Sequence, residues 1–335
     1  MAFGQEEMLR TETVQVGYED RGWETSPFVL PGASALVVGG RQRRQRRITS
    51  PNIRIKTPVN PGDLSYEIGL NEDPFTSNNR DLNRRLQRRV AKVQMDLDAR
   101  IANTEEWMCC RVLFEGILTV SVPGEDSFVI DYDRPAANTV VLGATALWTA
   151  ATAFPELQFR EATQKVSQDR GVQITDVFLG HEAAIALLQN EGVQRRLHQE
   201  RYNIGALDLT RPFTEDGSLN FIGRLANVRI WEYVAQVNLQ GVATQLIDPK
   251  NAEFFSTQRN ANQVFTYAPI SDDFDAIRRS RGSVVLPLSP VGTMVKRFSK
   301  AWQSPDPSSM NVLMASRPLP VTHTPDASIT YQVVA

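Results

Sequence analysis

The chain carries three histidines and two cysteines, and their spacing decides what metal or nucleophilic chemistry is open to them. His181 stands in Gly180-His181-Glu182-Ala183-Ala184-Ile185, without the second histidine one helical turn on that a zinc helix needs. His198 lies among Arg195, Arg196 and Arg201, the composition of a solvated helix face, and His323 sits in a proline-flanked loop. Cys109 and Cys110 are adjacent in a helical pattern, where neighbours point about 100° apart and do not bridge. They read as buried reduced thiols of a reducing compartment, and no tetrahedral Cys/His spacing exists. Asp272-Asp273-Phe274-Asp275 lacks the glycine and distal glutamate of a calcium loop and reads as a surface acidic turn. Asp131 and Asp133 flank Tyr132 at strand spacing, can share a face, and read as strand-end charges. No G-x-S-x-G, phosphate-loop or dinucleotide-binding glycine pattern occurs. The expectation is a non-enzymatic protein with no catalytic residue, no cofactor and no metal.

What remains is charge. Net charge is −2, yet the distribution is uneven. Glu6, Glu7, Glu12, Glu19, Asp20 and Glu24 dominate the first 36 residues, against Arg10 and Arg21. Arg41, Arg43, Arg44, Arg46, Arg47, Arg54 and Lys56 then follow without one acid. A third cluster, Arg84, Arg85, Arg88, Arg89 and Lys92, sits at the start of a helical pattern. There it meets like-charge repulsion at i,i+4 and the unfavourable end of the helix dipole. Stability alone would remove those cations, so they imply an acidic counterpart: a neighbouring subunit or nucleic acid. Arginine runs bind phosphate through counterion release with little sequence reading, but no aromatic is interleaved for base stacking. The acidic arm and basic loop are expected to meet between copies of the chain, not within one.

These charges hang on a few elements. From Arg80 to Phe114, apolar residues recur in steps of three and four: Leu82, Leu86, Val90, Val93, Leu97, Ile101, Met108 and Val112. No Pro or Gly interrupts them before Gly116, so one amphipathic helix about 50 Å long is expected. Residues 1–28 read as an extended arm. Residues 29–69 read as a long hairpin, with a strand at 33–38, a Gly39-Gly40 turn and an alternating Ile53-Arg54-Ile55-Lys56. Pro51, Pro58 and Pro61 confine its return arm to an edge. Residues 1–68 show no core of their own and are expected to be ordered mainly by other subunits. Beyond the helix, strands are read at 112–122, 127–132, 172–179, 228–239, 242–247, 311–316 and 328–334, and helices at 147–167 and 181–189. The class is α+β. Without a leader, an apolar run of membrane length or a glycosylation acceptor, a soluble protein made in a cytoplasm is expected.

Asn71-Glu72-Asp73-Pro74 leading into Asn79-Arg80-Asp81-Leu82-Asn83-Arg84-Arg85-Leu86-Gln87-Arg88-Arg89 resembles the start of the long helix in major capsid proteins of the bacteriophage lambda E-like family. Leu113-Phe114-Glu115-Gly116 and the stretch to Asp131-Tyr132-Asp133, the run from Gly171 to Gly180, and Pro325 to Ala335 are similar to later family segments. The resemblance implies the Hong Kong 97 capsid fold: an N-terminal arm at 1–27, an extended loop at 28–68, a peripheral domain at 69–145 and 276–335 with a spine helix at 79–115, and a central axial domain at 146–275. It implies an icosahedral shell subunit of a tailed phage, located in the virion and assembled in the host cytoplasm. The implied partners are copies of itself in hexamers and pentamers, a portal, a separate scaffold, a decoration protein and packaged dsDNA, with no membrane. The rival readings are a sequence-nonspecific nucleic-acid-binding protein using the arginine loop and helix face, and a hydrolase with an unseen site.

Overall fold

The computed structural model describes residues 5–19, 43–60, 62, 79–121, 127–194, 219–239, 241–257, 263–270, 296–304 and 309–335. The expected strand at 33–38, the Gly39-Gly40 turn, Asp20, Glu24, Arg41, His198 and the acidic turn at 272–275 lie outside them. In chain order the elements are β1 (Gln5–Met8), β2 (Thr13–Glu19), β3 (Arg43–Thr49), β4 (Ile53–Val59), α1 (Asn79–Cys110), β5 (Ile117–Val120), β6 (Phe128–Asp131), β7 (Thr139–Val141), α2 (Pro155–Arg170), β8 (Asp176–Leu179) and α3 (His181–Gln189). They continue with β9 (Leu219–Leu225), β10 (Val228–Tyr233), β11 (Gln236–Leu239), β12 (Val242–Gln245), β13 (Asn251–Phe255), β14 (Gln263–Tyr267), β15 (Phe298–Ser304), β16 (Ser309–Ser316), β17 (Pro318–Thr322) and β18 (Ile329–Gln332).

The organising element is α1, 32 residues long. Val93, Leu97 and Ile101 are buried against Val59 of β4 and Val312 and Met314 of β16, as steps of four and four along one helix face require. At its end the helix widens into a π-turn over Arg111–Glu115 and stops at Gly116, whose φ is 71°. A residue with a side chain resists that left-handed geometry. Helix and π-turn together span 79–115, one residue beyond each end of the stretch that the periodicity predicts.

Beside α1 lies a three-stranded sheet, β15-β16-β4. Pro58 of β4 faces Asn311 of β16, and β4 is an edge strand, where a proline's missing N–H costs no ladder bond. A six-stranded mixed sheet, β7-β18-β13-β8-β10-β9, packs with α2 and α3 around Trp148, Phe159, Val177, Leu179, Phe254 and Ile329. This sheet takes β7 and β18 from outside residues 146–275. A third sheet runs β1-β14-β17, and β2-β3, β5-β6 and β11-β12 form two-stranded ribbons. The expected helix at 147–167 begins instead at Pro155. Phe154 is held at φ −119°, ψ 83°, because the residue before a proline is pushed out of the α region, and Trp148 is buried in the turns before it.

Two expectations are corrected. The arm and loop meet within one chain: β2 pairs antiparallel with β3, placing Tyr18 opposite Arg44 and Glu19 opposite Arg43. Nor do the described residues of the 1–68 segment depend mainly on other subunits for order, because Val14, Val16 and Ile48 bury against Met108, Phe114, Leu118 and Tyr132 of the same chain. The cause is period-two alternation: Val14 and Val16 share one strand face, and Ile48 supplies the matching position opposite Val14.

Candidate assembly surface

The charges singled out by the sequence fall into three settings. The first is the arm. Lys296 Nζ donates to Glu6 Oε1 at 2.6 Å and sits 5.2 Å from the centroid of the Tyr267 ring. Arg317 Nη1 lies 2.8 Å from Glu12 Oε1. Glu7 is exposed on β1, which adds parallel to β14 with Glu7 opposite Thr266.

The second is the β2-β3 ribbon. Arg46 lies on the strand face of buried Ile48 and reaches inward: its Nη1 donates to the carbonyl oxygen of Asp131 and lies 3.3 Å from Asp133 Oδ1. Asp133 adopts a positive φ of 55°, and its backbone N–H donates to Asp131 Oδ1 at 2.9 Å. The two strand-end aspartates therefore gain Arg46 as a third partner, which sequence spacing could not reveal. Arg47 is one residue out of phase with Arg46, so it points to the opposite face of the ribbon, and it is exposed. Glu19, Arg43 and Arg44 lie in the backbone ladder.

The third is α1. The expected continuous basic face divides in two: Arg84, Arg88 and Lys92 are exposed, Arg89 is half-buried and Arg85 is buried. Arg85 and Arg89 precede Val93 and Leu97 at intervals of four, so they share the row that faces the body. The helix then turns acidic. Arg297, just before β15, donates to Asp98 Oδ1 and, at 2.9 Å, from Nη2 to Glu105 Oε2. Burial raises the Glu105 pKa, and the hydrogen bond and charge of Arg297 pull against that rise.

Sequence reasoning missed the junction where α1 meets the six-stranded sheet. Helix C-termini leave carbonyls without helical partners. Here two hydroxyls from β18 and the residue before it supply them: Ser328 Oγ donates to Leu113 O at 2.8 Å, and Thr330 Oγ1 lies 3.0 Å from Phe114 O. Arg134 Nη2 donates to Thr330 Oγ1 at 2.9 Å, and more weakly to the carbonyls of Asn138 and Ser328. Glu253 of β13 is buried beside them, its Oε2 2.5 Å from Thr330 Oγ1. The i,i+2 spacing of Ser328 and Thr330 is the one legible trace, and it signals only a shared strand face.

Asp176, buried in β8, accepts from Arg229 Nη2 and Thr175 Oγ1 at 2.7 Å and from Trp231 Nε1 at 3.0 Å. His181 Nδ1 lies 2.7 Å from Glu232 Oε1 on an exposed rim. Burial raises the pKa of both cysteines, Cys110 to about 12. Among the described residues no group of three His, Cys, Asp or Glu side chains could hold a metal, and no helix is long and apolar enough to cross a membrane. Exposed apolar side chains gather on α2 and α3 (Leu157, Ile185, Leu188, with Phe154 just before) and on β5-β6 (Ile117, Phe128, Val129).

A protein-family model described as phage major capsid protein E matches residues 1–333. No curated protein matches the chain. Among solved structures, the chain is similar to a prophage capsid protein from E. coli CFT073, with a TM-score of 0.68 at 15% identity over 99% of this chain and 91% of that one. It is also similar to the capsid protein of cyanophage A-1(L), with a TM-score of 0.51 at 10% identity over 99% of this chain and 91% of that one.

Proposed function

Because this chain belongs to the phage major capsid protein E family, a family of shell-forming structural proteins with the Hong Kong 97 fold, we propose that it closes with copies of itself into the icosahedral head around the dsDNA of a tailed phage. The match over residues 1–333 carries this reading, and α1 with the folded-back β2-β3 ribbon supports it. In this proposal hexamers and pentamers form from one subunit type in the host cytoplasm, and the product is the capsid of the virion. Residues 69–145 and 276–335 make the peripheral part, and residues 146–275 the axial part. The exposed side chains of Phe154, Leu157, Ile185 and Leu188 are covered by other copies. Glu7, Arg47 and the outward cations Arg84, Arg88 and Lys92 contribute to contacts between subunits. A portal, a separate scaffold, a decoration protein and nonspecific contact with packaged dsDNA complete the partners. No catalytic step and no cofactor is assigned.

The rival reading as a free nucleic-acid-binding protein draws no support from the fold or the family. Arg46 is engaged with Asp133, and Arg85 is buried, so among the described residues neither arginine cluster turns all its cations outward. Electron micrographs and size-exclusion profiles of the purified protein test the proposal. Capsomers or closed shells are expected without added DNA; a small species that grows only on adding DNA would overturn it.

A further inference from the structure

Thr330 Oγ1 has three polar neighbours, and their chemistry fixes where the protons lie. Arg134 Nη2, at 2.9 Å, can only donate. Phe114 O, at 3.0 Å, can only accept. Glu253 Oε2, at 2.5 Å, accepts if ionised and donates if protonated. A hydroxyl has one proton to give and two lone pairs to receive. With Glu253 ionised, two buried acceptors compete for one proton, and the loser bears the cost of an unmade buried hydrogen bond. With Glu253 protonated, Thr330 accepts from Arg134 and Glu253 and donates to Phe114 O, and all three contacts of the hydroxyl are made.

We propose that Glu253 is a neutral carboxylic acid whose proton, relayed as a hydrogen bond through Thr330, latches the π-turn at the end of α1 to the six-stranded sheet. When the proton leaves, the Thr330 hydroxyl turns to the carboxylate and Phe114 O is released. No bond other than O–H breaks, and the proton passes to water. A cavity of about 650 Å³ beside the pair, lined in part by Arg111, Glu115, Asp248 and Asn251, has the room and the polar partners for water to carry it.

The surroundings agree. Burial pushes the Glu253 pKa from 4.5 up to about 8, against hydrogen bonds from Thr330 and Asn251 and the charge of Arg134, and with help from Asp248. On the π-turn, Arg111 and Glu115 line the same cavity and are paired with each other. The neighbouring Cys110 thiol is neutral, its pKa raised to about 12. From β8, the residue opposite Glu253 is the uncharged Phe178.

Three measurements on the full chain test the latch. Infrared titration should show a protonated carboxyl band at neutral pH that fades near pH 8 and is missing from Glu253→Gln. Between about pH 4.5 and about 8 the unfolded state is ionised while the folded state keeps its proton. Glu253 therefore raises the unfolding constant by up to about tenfold per pH unit, and Glu253→Gln should lose that slope. Hydrogen exchange of residues 109–120, corrected for its intrinsic pH dependence, should accelerate as Glu253 ionises in the wild type. It should stay flat in Glu253→Gln, whose amide still donates to Thr330, and in Thr330→Val, where the acid still titrates. An ionised Glu253 at neutral pH overturns the proposal, and so does wild-type pH dependence of exchange in Thr330→Val. If neither variant folds, the infrared titration and exchange profile of the wild type decide alone: a carboxyl that titrates while 109–120 stays unchanged refutes the latch.

Discussion

Arg297 Nη2 lies 2.9 Å from Glu105 Oε2, and the same guanidinium holds Asp98 one helical stretch earlier, so one side chain clips the segment before β15 to the middle of α1. Glu105 is 11% exposed and Arg297 20%. Replacing Arg297 with Gln leaves a largely buried carboxylate without its cation, a loss of about 3 kcal/mol. Burial already raises the Glu105 pKa, and removing Arg297 raises it further. The deficit should therefore be largest where the unfolded glutamate is ionised and shrink in acid as the folded group takes up a proton. Denaturant unfolding of the variant at neutral and acidic pH checks both points. An equal deficit at the two would show that Arg297 acts through packing alone.

Gly116 ends the helix at φ 71°, and a Cβ there would lie 2.4 Å from Arg134 Cβ. Gly116→Ala meets the left-handed penalty of about 1 kcal/mol and must also displace Arg134 from Thr330. Destabilisation of at least about 2 kcal/mol is expected, read as a drop in the subunit's melting temperature. A variant that melts with the wild type would mean that Arg134 moves aside freely.

Arg46 and Arg47 are sequence neighbours with opposite duties. Arg46→Gln removes an exposed ion pair and a carbonyl contact that tie the ribbon to Asp131 and Asp133, so a modest loss of stability, about 0.5 to 1 kcal/mol, is expected. Arg47→Gln should leave melting unchanged and lower the yield of particles at moderate salt. Parallel melting curves and particle counts distinguish the two. If both variants fall together in both assays, the inward–outward division of the ribbon is wrong.

Asp176 marks the acid limit of the fold. Burial alone would raise its pKa, but hydrogen bonds from Arg229, Thr175 and Trp231 bring it below 3.8. A depressed folded value contributes stability above the unfolded pKa that is lost as pH falls through the folded one. Asp176→Asn should cost about 2 kcal/mol at neutral pH and flatten the acid limb of the stability curve. An unchanged acid midpoint would place the sensitive group elsewhere.

The long helix was legible because its pattern is local: apolar steps of three and four from Leu86 to Val112, then a glycine. Pro58 on an edge strand was legible for the same reason. The ribbon was not, because Val14, Val16 and Ile48 lie on segments that polar residues dominate, and their shared face appears only once β2 and β3 are paired. β13 escaped notice because Asn251-Ala252-Glu253 does not look like a buried strand. Its glutamate is tolerated by virtue of Thr330 and Arg134, which lie 77 positions later and far upstream. Charge alone reads Arg85 and Arg89 as part of an outward basic face, whereas the i,i+4 row they share with Val93 turns them toward the body.

The hydroxyls that close the end of α1 arrive late. Leu113 and Ser328 are 215 positions apart, and β18 sits between β7 and β13, second from one edge of its sheet. At translation rates of about 5 to 20 residues per second, roughly 10 to 40 s pass between synthesis of the helix end and of its cap. Until then β7 lacks the strand that joins it to the largest sheet, and two helix carbonyls stand open. A ribosome-bound fragment that stops short of β18 therefore lacks the finished junction between helix and sheet, and the closing of that junction is timed by the synthesis of β18.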